Sequence, residues 1–249
     1  MINVLISGAS GRMGNVIFEI IDGRDDMQVV AGVDREENFL GIFPIYSSFD
    51  DVKESVDCIV DFSAPQVLDN LLRYAMEKKL PVVVCTTGFS ESQIFEIQNA
   101  TKNIPVFFSM NMSLGINLLM ELAKKATKVL GEQFDIEITE KHHNQKIDAP
   151  SGTAYMIADA VNKAANNRYH YEYNRSAKRE KRSSNEIGIH SVRGGTIVGE
   201  HEILFAGRDE LLKISHTALS REVFAVGAVN AVSFMVNQKA GLYNMSHMI

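Results

Sequence analysis

The chain has 249 residues, of which 45% are hydrophobic and 22% are charged, and its net charge is −6 at pH 7. This composition is ordinary for a globular protein with one large core or two moderate ones. The acidic balance argues against a general nucleic-acid or membrane-surface binder, although it allows a local basic site for an anionic substrate.

The first hundred residues alternate short apolar runs with amphipathic stretches. Apolar runs predict strands at residues 4–6, 29–33, 58–62, 81–85 and 105–108. Helical spacing predicts helices over 12–22, over 67–75 after Pro65, and after a capping Ser90. Continuous apolar strands between amphipathic helices are typical of a parallel sheet that is covered on both faces. The sequence therefore predicts an α/β fold with a Rossmann-type doubly wound parallel sheet.

The pattern changes near residue 112. It predicts a long helix up to Leu130, an alternating strand over 134–140, a helix over 151–167, a polar segment over 168–186, and strands near 187–193, 196–206 and 210–219. Short links between the last three strands predict an antiparallel meander. We therefore expect a second α+β domain with an open mixed or antiparallel sheet. The basic residues of 175–182 are interpreted as a solvated loop.

Residues 220–238 predict a helix that is apolar over much of its circumference. Such a helix is better buried between elements than exposed on one side, so we place it back on the first domain. The predicted domains are 1–112 with 220–249, and 113–219.

The two cysteines, Cys58 and Cys85, lie in apolar runs typical of buried strands. We therefore expect free thiols and a reducing cytoplasm. The first residues lack the basic leader of a signal peptide. No apolar run approaches the roughly 20 residues that span a bilayer.

A glycine-rich loop follows the first strand and opens the first helix. Glycines let the backbone turn sharply and approach a pyrophosphate, which then lies at the helix N-terminus. Asp34 lies 20 residues past Gly14, where an acid can accept both ribose hydroxyls of NAD(H). Arg35 could instead pair with the 2′-phosphate of NADP(H). A flavodoxin-like turn with surface charges is the alternative. The predicted cofactor residues here are Gly8, Ala9, Ser10, Gly11, Arg12, Met13, Gly14, Asp34 and Arg35.

Two further strand ends should reach the same crevice, because ligands bind at the carboxyl ends of strands in open α/β sheets. Cys85, Thr86 and Thr87 could meet the nicotinamide ribose or the substrate. The run Ser109, Met110, Asn111 and Met112 is a candidate nicotinamide contact and a candidate domain hinge.

Thirteen residues from Lys141 to Thr153 hold two imidazoles, an ammonium group and a helix-start signal. Histidine is the side chain that most readily gives up a proton near neutral pH. A helix start with hydroxyls and backbone N–H groups suits a carboxylate. We predict His142 as a proton donor, and Lys146 can either hold an anion or supply a proton. The predicted contacts of a substrate carboxylate at the helix start are Ser151, Gly152 and Thr153.

The histidines allow two other interpretations. Adjacent residues on a strand point to opposite faces, so His142 and His143 make a poor ligand pair, and His190, His201 and His216 are scattered along the sequence. Zinc prefers a compact nitrogen and sulfur set, so we expect no metal. Alternatively, the pair is simply hydrogen-bonded at a strand end. Lys146 and the nearby helix start favour a substrate site instead.

These motifs together resemble the 4-hydroxy-tetrahydrodipicolinate reductase (dihydrodipicolinate reductase) family of lysine and diaminopimelate synthesis. The resemblance runs nearly the whole chain. It is carried by residues 8–14, the Thr-Thr-Gly-Phe turn at 86–89, the segment Glu140–Thr153, and Val192 to His201.

The resemblance implies that NADH or NADPH delivers a hydride to a cyclic dicarboxylate imine, with loss of water, and that His142 and Lys146 supply the proton. His143, Gly152 and Thr153 would hold the substrate carboxylates. It also implies a homotetramer that associates through the second domain, and domain closure about hinges at Met112 and near Ser220.

Two departures from the family's pattern, Cys85 in place of glycine and Asp34 in place of a frequent glutamate, leave the cofactor preference open. A reductase of another small carboxylate, and a non-catalytic nicotinamide sensor, are the competing interpretations. Neither would need His142 and Lys146 together with the helix start.

Overall fold

A computed structural model describes residues 1–35, 38–39 and 42–249 of the chain. The chain divides into two compact units, Met1–Leu114 with Glu222–Ile249, and Gly115–Arg221. The domain limits predicted from the sequence lie two residues earlier at each junction. Among the described residues, every helix is too short or too polar to cross a bilayer.

Over its described residues, the first unit is built on a sheet of eight strands. Its strands are β1 (Ile2–Ser7), β2 (Met27–Val33), β3 (Asn38–Phe39), β4 (Pro44–Tyr46), β5 (Cys58–Asp61), β6 (Val82–Val84), β7 (Pro105–Phe108) and, after the second unit, β13 (Gly241–Tyr243). Its helices are α1 (Arg12–Asp22), α2 (Leu68–Lys78), α3 (Glu91–Ala100) and α6 (Glu222–Met235). The strand order is β13-β7-β6-β5-β1-β2-β4-β3, and all neighbours are parallel except the pair β3 and β4.

The strand order reverses between β1 and β5, because the chain adds strands on one side of β1 and later on the other. In doubly wound sheets this is where the carboxyl ends of the strands open a crevice for a ligand. The doubly wound fold predicted from the sequence is confirmed. Small details differ: α2 begins at Leu68 after a 3₁₀ turn over Pro65–Val67, whereas Ser90 caps α3 as predicted, in a capping box with Gln93.

Helix α6 packs in the core of the first unit. Its residues Ala225, Ala228, Val229 and Val232 are almost fully buried there, as its nearly uniform apolar surface predicts. Gly227 permits this packing, because a Cβ at that position would lie 1.7 Å from the Met112 carbonyl oxygen. Both cysteines are buried free thiols, as expected.

The second unit is a five-stranded mixed sheet with helices. Its elements are α4 (Leu114–Leu130), β8 (Asp135–His142), α5 (Gly152–Ala164), β9 (His170–Glu172), β10 (Glu186–Arg193), β11 (Gly199–Ala206) and β12 (Leu211–Ala218). The order β12-β11-β8-β10-β9 confirms the predicted mixed sheet and the antiparallel pair of β11 and β12. The predicted meander was wrong for β10, which pairs with β8 and β9 instead of β11. Strand β8 lies between β11, which is antiparallel to it, and β10, which is parallel.

The central place of β8 follows from its side chains. Alternate residues of this strand are buried, and Ile138 pairs with Ile189 of β10 and Ile203 of β11. All three are at most 2% exposed. The apolar half of this face, Ile136 and Ile138, buries more area with neighbours on both sides than it would at an edge.

The interpretation of the basic segment as a solvated loop was wrong for two of its arginines. Arg182 donates to the carboxylates of Glu137 and Asp135, each at 2.8 Å, and Arg175 pairs with the buried carboxylate of Glu186. These bonds tie the segment to the sheet. The sequence could not show them, because the acidic partners are distant along the chain or depend on the strand order.

Candidate active site

The glycine loop of the first unit is shaped for close approach to a ligand. Gly8 has φ of +84°, and a Cβ there would lie 2.7 Å from the Phe62 carbonyl oxygen. A Cβ on Gly14 would lie 2.4 Å from the Gly8 carbonyl oxygen. Helix α1 starts behind this loop with no side-chain cap at Gly11 and no acid in its first turn. Its first amides and the positive end of its dipole therefore suit an anion such as a pyrophosphate.

A cavity of about 510 Å³ lies against this loop, and Asp34 and Arg35 line it together with Ser10, Gly11 and Ser63. The Asp34 carboxylate accepts the backbone N–H groups of Ser10 at 2.8 Å and Arg35 at 2.7 Å. It is thereby fixed at the end of β2, and each oxygen keeps a lone pair for a ribose hydroxyl. The residues present fit the phosphate and ribose parts of a nicotinamide dinucleotide.

The remaining predicted cofactor residues differ in how far they are exposed. Thr87 and Met110 are exposed, whereas Cys85, Thr86, Asn111 and Met112 are buried. The Ser109 hydroxyl donates to the Asn111 carbonyl at 3.0 Å, and Met112 packs in the core of the first unit. These contacts give the side chain of Met112 a structural role and shape the turn after β7.

Asp61 is a polar residue at this edge of the sheet that the sequence analysis did not single out. It ends β5, is 1% exposed, and accepts a hydrogen bond from the Ser63 hydroxyl at 2.5 Å. Burial raises the pKa of this carboxyl group. An aspartate that closes an apolar run is a visible signal, and it lies beside Ser7 of β1, at the point where the strand order reverses.

In the second unit, His142 is the last residue of β8, and its side chain is largely buried. Its Nδ1 lies 2.5 Å from Oε2 of Glu140, because residues two apart on a strand share a face. Burial lowers the pKa of His142, and the Glu140 carboxylate partly opposes this shift.

Glu140 is completely buried and is held from two other elements. Arg193 of β10 donates to its two oxygens at 2.8 and 2.6 Å, and the backbone N–H of Ser151 donates at 3.1 Å. Burial alone would raise the pKa of Glu140, but the hydrogen bonds from Arg193, Ser191 and His142 outweigh it and lower the pKa to about 2. Glu140 is therefore an ionised carboxylate at neutral pH.

A second histidine, His201 of β11, lies beside this pair. Its ring centre is 5.2 Å from that of His142, and its Nε2 is 3.0 Å from the Ser151 hydroxyl. Burial lowers the pKa of His201 to about 4, so this ring is neutral at pH 7. The Ser151 hydroxyl also accepts the Ala154 N–H at 3.1 Å as the cap of α5.

Ser151 thus has partners within the protein for both its N–H and its hydroxyl group. Gly152 and Thr153, which follow it at the start of α5, are exposed and partly exposed. His143 and Lys146 are also partly exposed, and the Lys146 ammonium lies 2.8 Å from the Asp148 carboxylate. The segment that follows His142 therefore carries several groups that can bind an anion.

Sequence reasoning placed His142 and Lys146 but assigned no role to Glu140, Arg193 or His201. Glu140 could have been found, because the alternation of β8 puts it on the face of His142. Arg193 pairs with His142 and His201 pairs with Glu140 across the sheet. Those pairs depend on the strand order, which the sequence analysis had wrong.

Comparison with known proteins agrees with these features. A model of the dihydrodipicolinate reductase N-terminus matches residues 2–112, and a model of the same family's C-terminus matches residues 115–249. A 4-hydroxy-tetrahydrodipicolinate reductase of Caldanaerobacter subterraneus subsp. tengcongensis is 51% identical over 249 residues, which covers 100% of this chain and 98% of that protein. The enzyme of the same name from Clostridium tetani is 45% identical, covering 100% of this chain and 97% of that protein.

Among solved structures, a dipicolinate-bound dihydrodipicolinate reductase from Paenisporosarcina sp. TG-14 superposes with a TM-score of 0.83 at 25% identity, and all of both chains is covered. The two family models together account for nearly every residue. The chain belongs to the dihydrodipicolinate reductase family.

Proposed function

We propose that His142 is the proton donor in the NAD(P)H-dependent reduction of 4-hydroxy-tetrahydrodipicolinate to tetrahydrodipicolinate, and that Lys146 assists it. The reaction belongs to lysine and diaminopimelate biosynthesis; it consumes one hydride and one proton and releases one water. The observation that carries the proposal is the buried ring of His142 against the Glu140 carboxylate, 2.5 Å away. A positioned imidazole of this kind supplies roughly 10²- to 10⁴-fold in rate as a general acid.

The reduced nicotinamide supplies the hydride when the cofactor is bound. The chain's own residues bind and orient it: the loop from Gly8 to Gly14 accommodates the pyrophosphate, and Asp34 accepts the ribose hydroxyls. The cavity beside this loop and the fixed carboxylate of Asp34 support this assignment. Thr87 and Met110, which are exposed at the ends of strands, are the proposed contacts on the nicotinamide side.

The substrate is proposed to bind through its two carboxylates. The relative from Paenisporosarcina has dipicolinate, a flat cyclic dicarboxylate, bound to it. In this chain, His143, Lys146, Gly152 and Thr153 offer an imidazole, an ammonium group and the start of α5 beside His142. Lys146 now pairs with Asp148, whose side chain is 58% exposed, and a substrate carboxylate can take the place of that partner. Lys146 then lies where it can assist His142 as a second donor for the one proton that the reaction consumes.

Mixing the purified protein with NADPH and freshly prepared 4-hydroxy-tetrahydrodipicolinate tests the activity. The expected result is loss of cofactor absorbance that depends on this substrate, with a mass-spectrometric product one oxygen lighter. Cofactor oxidation with other small carboxylates, but not with this one, would contradict the proposal.

Arg35 is proposed to recognise the 2′-phosphate of NADPH, because it is exposed beside Asp34 at the cavity. Arg35→Ala should lower kcat/KM with NADPH roughly tenfold or more and leave the value with NADH nearly unchanged, since a hydrogen bond to a charged group contributes about 1.5–3 kcal/mol. Arg24→Ala is the control, because Arg24 pairs with Asp26 instead. Equal losses with both cofactors would show that Arg35 does not read the phosphate.

We also propose that the protein works as a cytoplasmic homotetramer that associates through the second unit, as the family resemblance implies. Sedimentation velocity at micromolar concentration is the measurement, and a monomer under those conditions would contradict it.

A further inference from the structure

We propose that Glu140 is a positioning residue for this reaction, which fixes the His142 ring through Nδ1 and leaves Nε2 as the nitrogen that gives the proton. The inference rests on the proposed role of His142. It adds which ring nitrogen acts and which groups hold the ring in place.

The surroundings of Glu140 fix a hydrogen on Nδ1 of His142. Both oxygens of Glu140 are surrounded by donors, namely the two Nη groups of Arg193, the N–H of Ser151 and the ring of His142. A carboxylate held in this way is ionised and can only accept. The nitrogen of His142 that faces Glu140 at 2.5 Å therefore carries a hydrogen in both charge states of the ring. Which nitrogen of a histidine is protonated is set by the hydrogen bond that the other makes.

The Nε2 side of the His142 ring faces Gly199. A Cβ on Gly199 of β11 would lie 3.2 Å from Nε2 of His142, tighter than ordinary van der Waals contact. Glycine at this position keeps the space beside Nε2 open. The titrating proton is therefore on Nε2, and loss of that proton leaves the tautomer with hydrogen on Nδ1.

The Glu140 carboxylate is itself held in place by Arg193. Arg193 also donates to the Asp148 carbonyl at 2.6 Å, and Asp148 is the partner of Lys146. Glu140 and Arg193 therefore join the end of β8, the strand β10, the start of α5 and the segment that carries Lys146. A buried charged pair with two parallel hydrogen bonds fixes geometry more tightly than a neutral contact.

Groups on every neighbouring element act on the charge of His142. Burial lowers the pKa of His142, and Lys146 and Arg193 lower it further, whereas Glu140 opposes them. His201 on β11 is neutral, because burial lowers its pKa to about 4. Without the charge of Glu140, the pKa of His142 falls, and less of the ring is protonated at neutral pH.

Glu140→Gln is the test, since it keeps the volume and removes the charge. The expected result is a drop in kcat of roughly 100-fold, within the contribution of a positioned general acid, with the cofactor Kd unchanged. The pH above which kcat declines should move to a lower value, and activity should partly return on acidification. The shift of the pH profile and the recovery at low pH are both expected because His142 must be protonated to donate its proton.

Glu137→Gln is the matched control. Glu137 lies on the same strand and also contacts a histidine and an arginine, His190 at 2.7 Å and Arg182 at 2.8 Å. Glu137 and Glu140 are three residues apart on the strand, so their side chains lie on opposite faces of the sheet. Its replacement should leave kcat and the pH profile as in the unaltered protein.

Nitrogen NMR of the unaltered protein with labelled histidine gives a second readout that does not depend on folding of the variant. His142 can be assigned from the signal missing in His142→Gln. In the neutral ring, Nδ1 should have a pyrrole-like shift and Nε2 a pyridine-like shift. The reverse pattern overturns the proposal, as does a Glu140→Gln enzyme with unchanged kcat and pH profile.

Two variants distinguish failure of the proposed positioning role of Glu140 from failure of the proposed proton-donor role of His142. If His142→Gln abolishes turnover while Glu140→Gln has no effect, only the positioning role is lost. If His142→Gln itself turns over normally, the proposed function of His142 fails as well.

Discussion

His142→Gln should lower kcat by roughly 10²- to 10⁴-fold, which is the contribution of a positioned general acid. Glutamine is close to histidine in size and can keep a hydrogen bond to Glu140, but it has no proton to give near neutral pH. The Kd for NADPH should not change, because the nucleotide loop and Asp34 belong to the other unit. The measurements are steady-state kinetics with the natural substrate and quenching of nucleotide fluorescence.

His190→Gln is the control for this variant. His190 belongs to the same sheet and also contacts a glutamate, Glu137, but it is exposed. Its replacement should leave kcat within the error of the assay. Normal turnover by His142→Gln would remove His142 from the mechanism, and a loss of nucleotide binding would mean that the substitution disturbs more than proton transfer.

Gly14→Ala should weaken NADPH binding by about tenfold or more. The added Cβ would lie 2.4 Å from the Gly8 carbonyl oxygen and 2.5 Å from that of Ala9. Both contacts are backbone, so the loop must open or the helix must shift. Crowding of this kind costs about 1–3 kcal/mol in a packed site. Each loss of about 1.4 kcal/mol in binding free energy raises Kd tenfold.

Gly23→Ala is the matched control at the other end of the same helix. There the nearest heavy atom to an added Cβ is 3.7 Å away, an ordinary contact. Titration calorimetry with NADPH should show weaker binding for Gly14→Ala only, and thermal unfolding should show a lower Tm for it. Equal Kd values for the two variants would mean that the loop does not bind the pyrophosphate closely.

Most of the first unit could be predicted because its signals are local, but the short strands β3, β4 and β13 were not predicted. Each buried strand is a continuous apolar run, each helix has its own spacing, and Ser90 with Gln93 marks a helix start that the structure confirms. The uniformly apolar helix after residue 220 predicted its return to this unit. The family resemblance, supported by both family models, came from motifs of the same local kind.

The second sheet was harder because its order is not local. Short links favoured neighbouring pairs, but β8 lies between β10 and β11, where both its apolar and its polar buried residues have neighbours on each side. Because the predicted strand order was wrong, the residues of the neighbouring strands that surround His142 could not be identified from the sequence. Once Arg193 and His201 are known to flank β8, the ring of contacts around Glu140 follows from the alternation of the strands. Arg182 was missed for the same reason.

The pH dependence of a single turnover tests the central claim most directly. Enzyme in excess over NADPH is mixed with saturating substrate, and the rate of cofactor oxidation is followed across the pH range in which His142 loses its proton. We predict that the rate falls as pH rises in the unaltered protein, and that this decline is absent from the much slower His142→Gln reaction. The same decline at the same pH and with similar rates in His142→Gln would contradict the account.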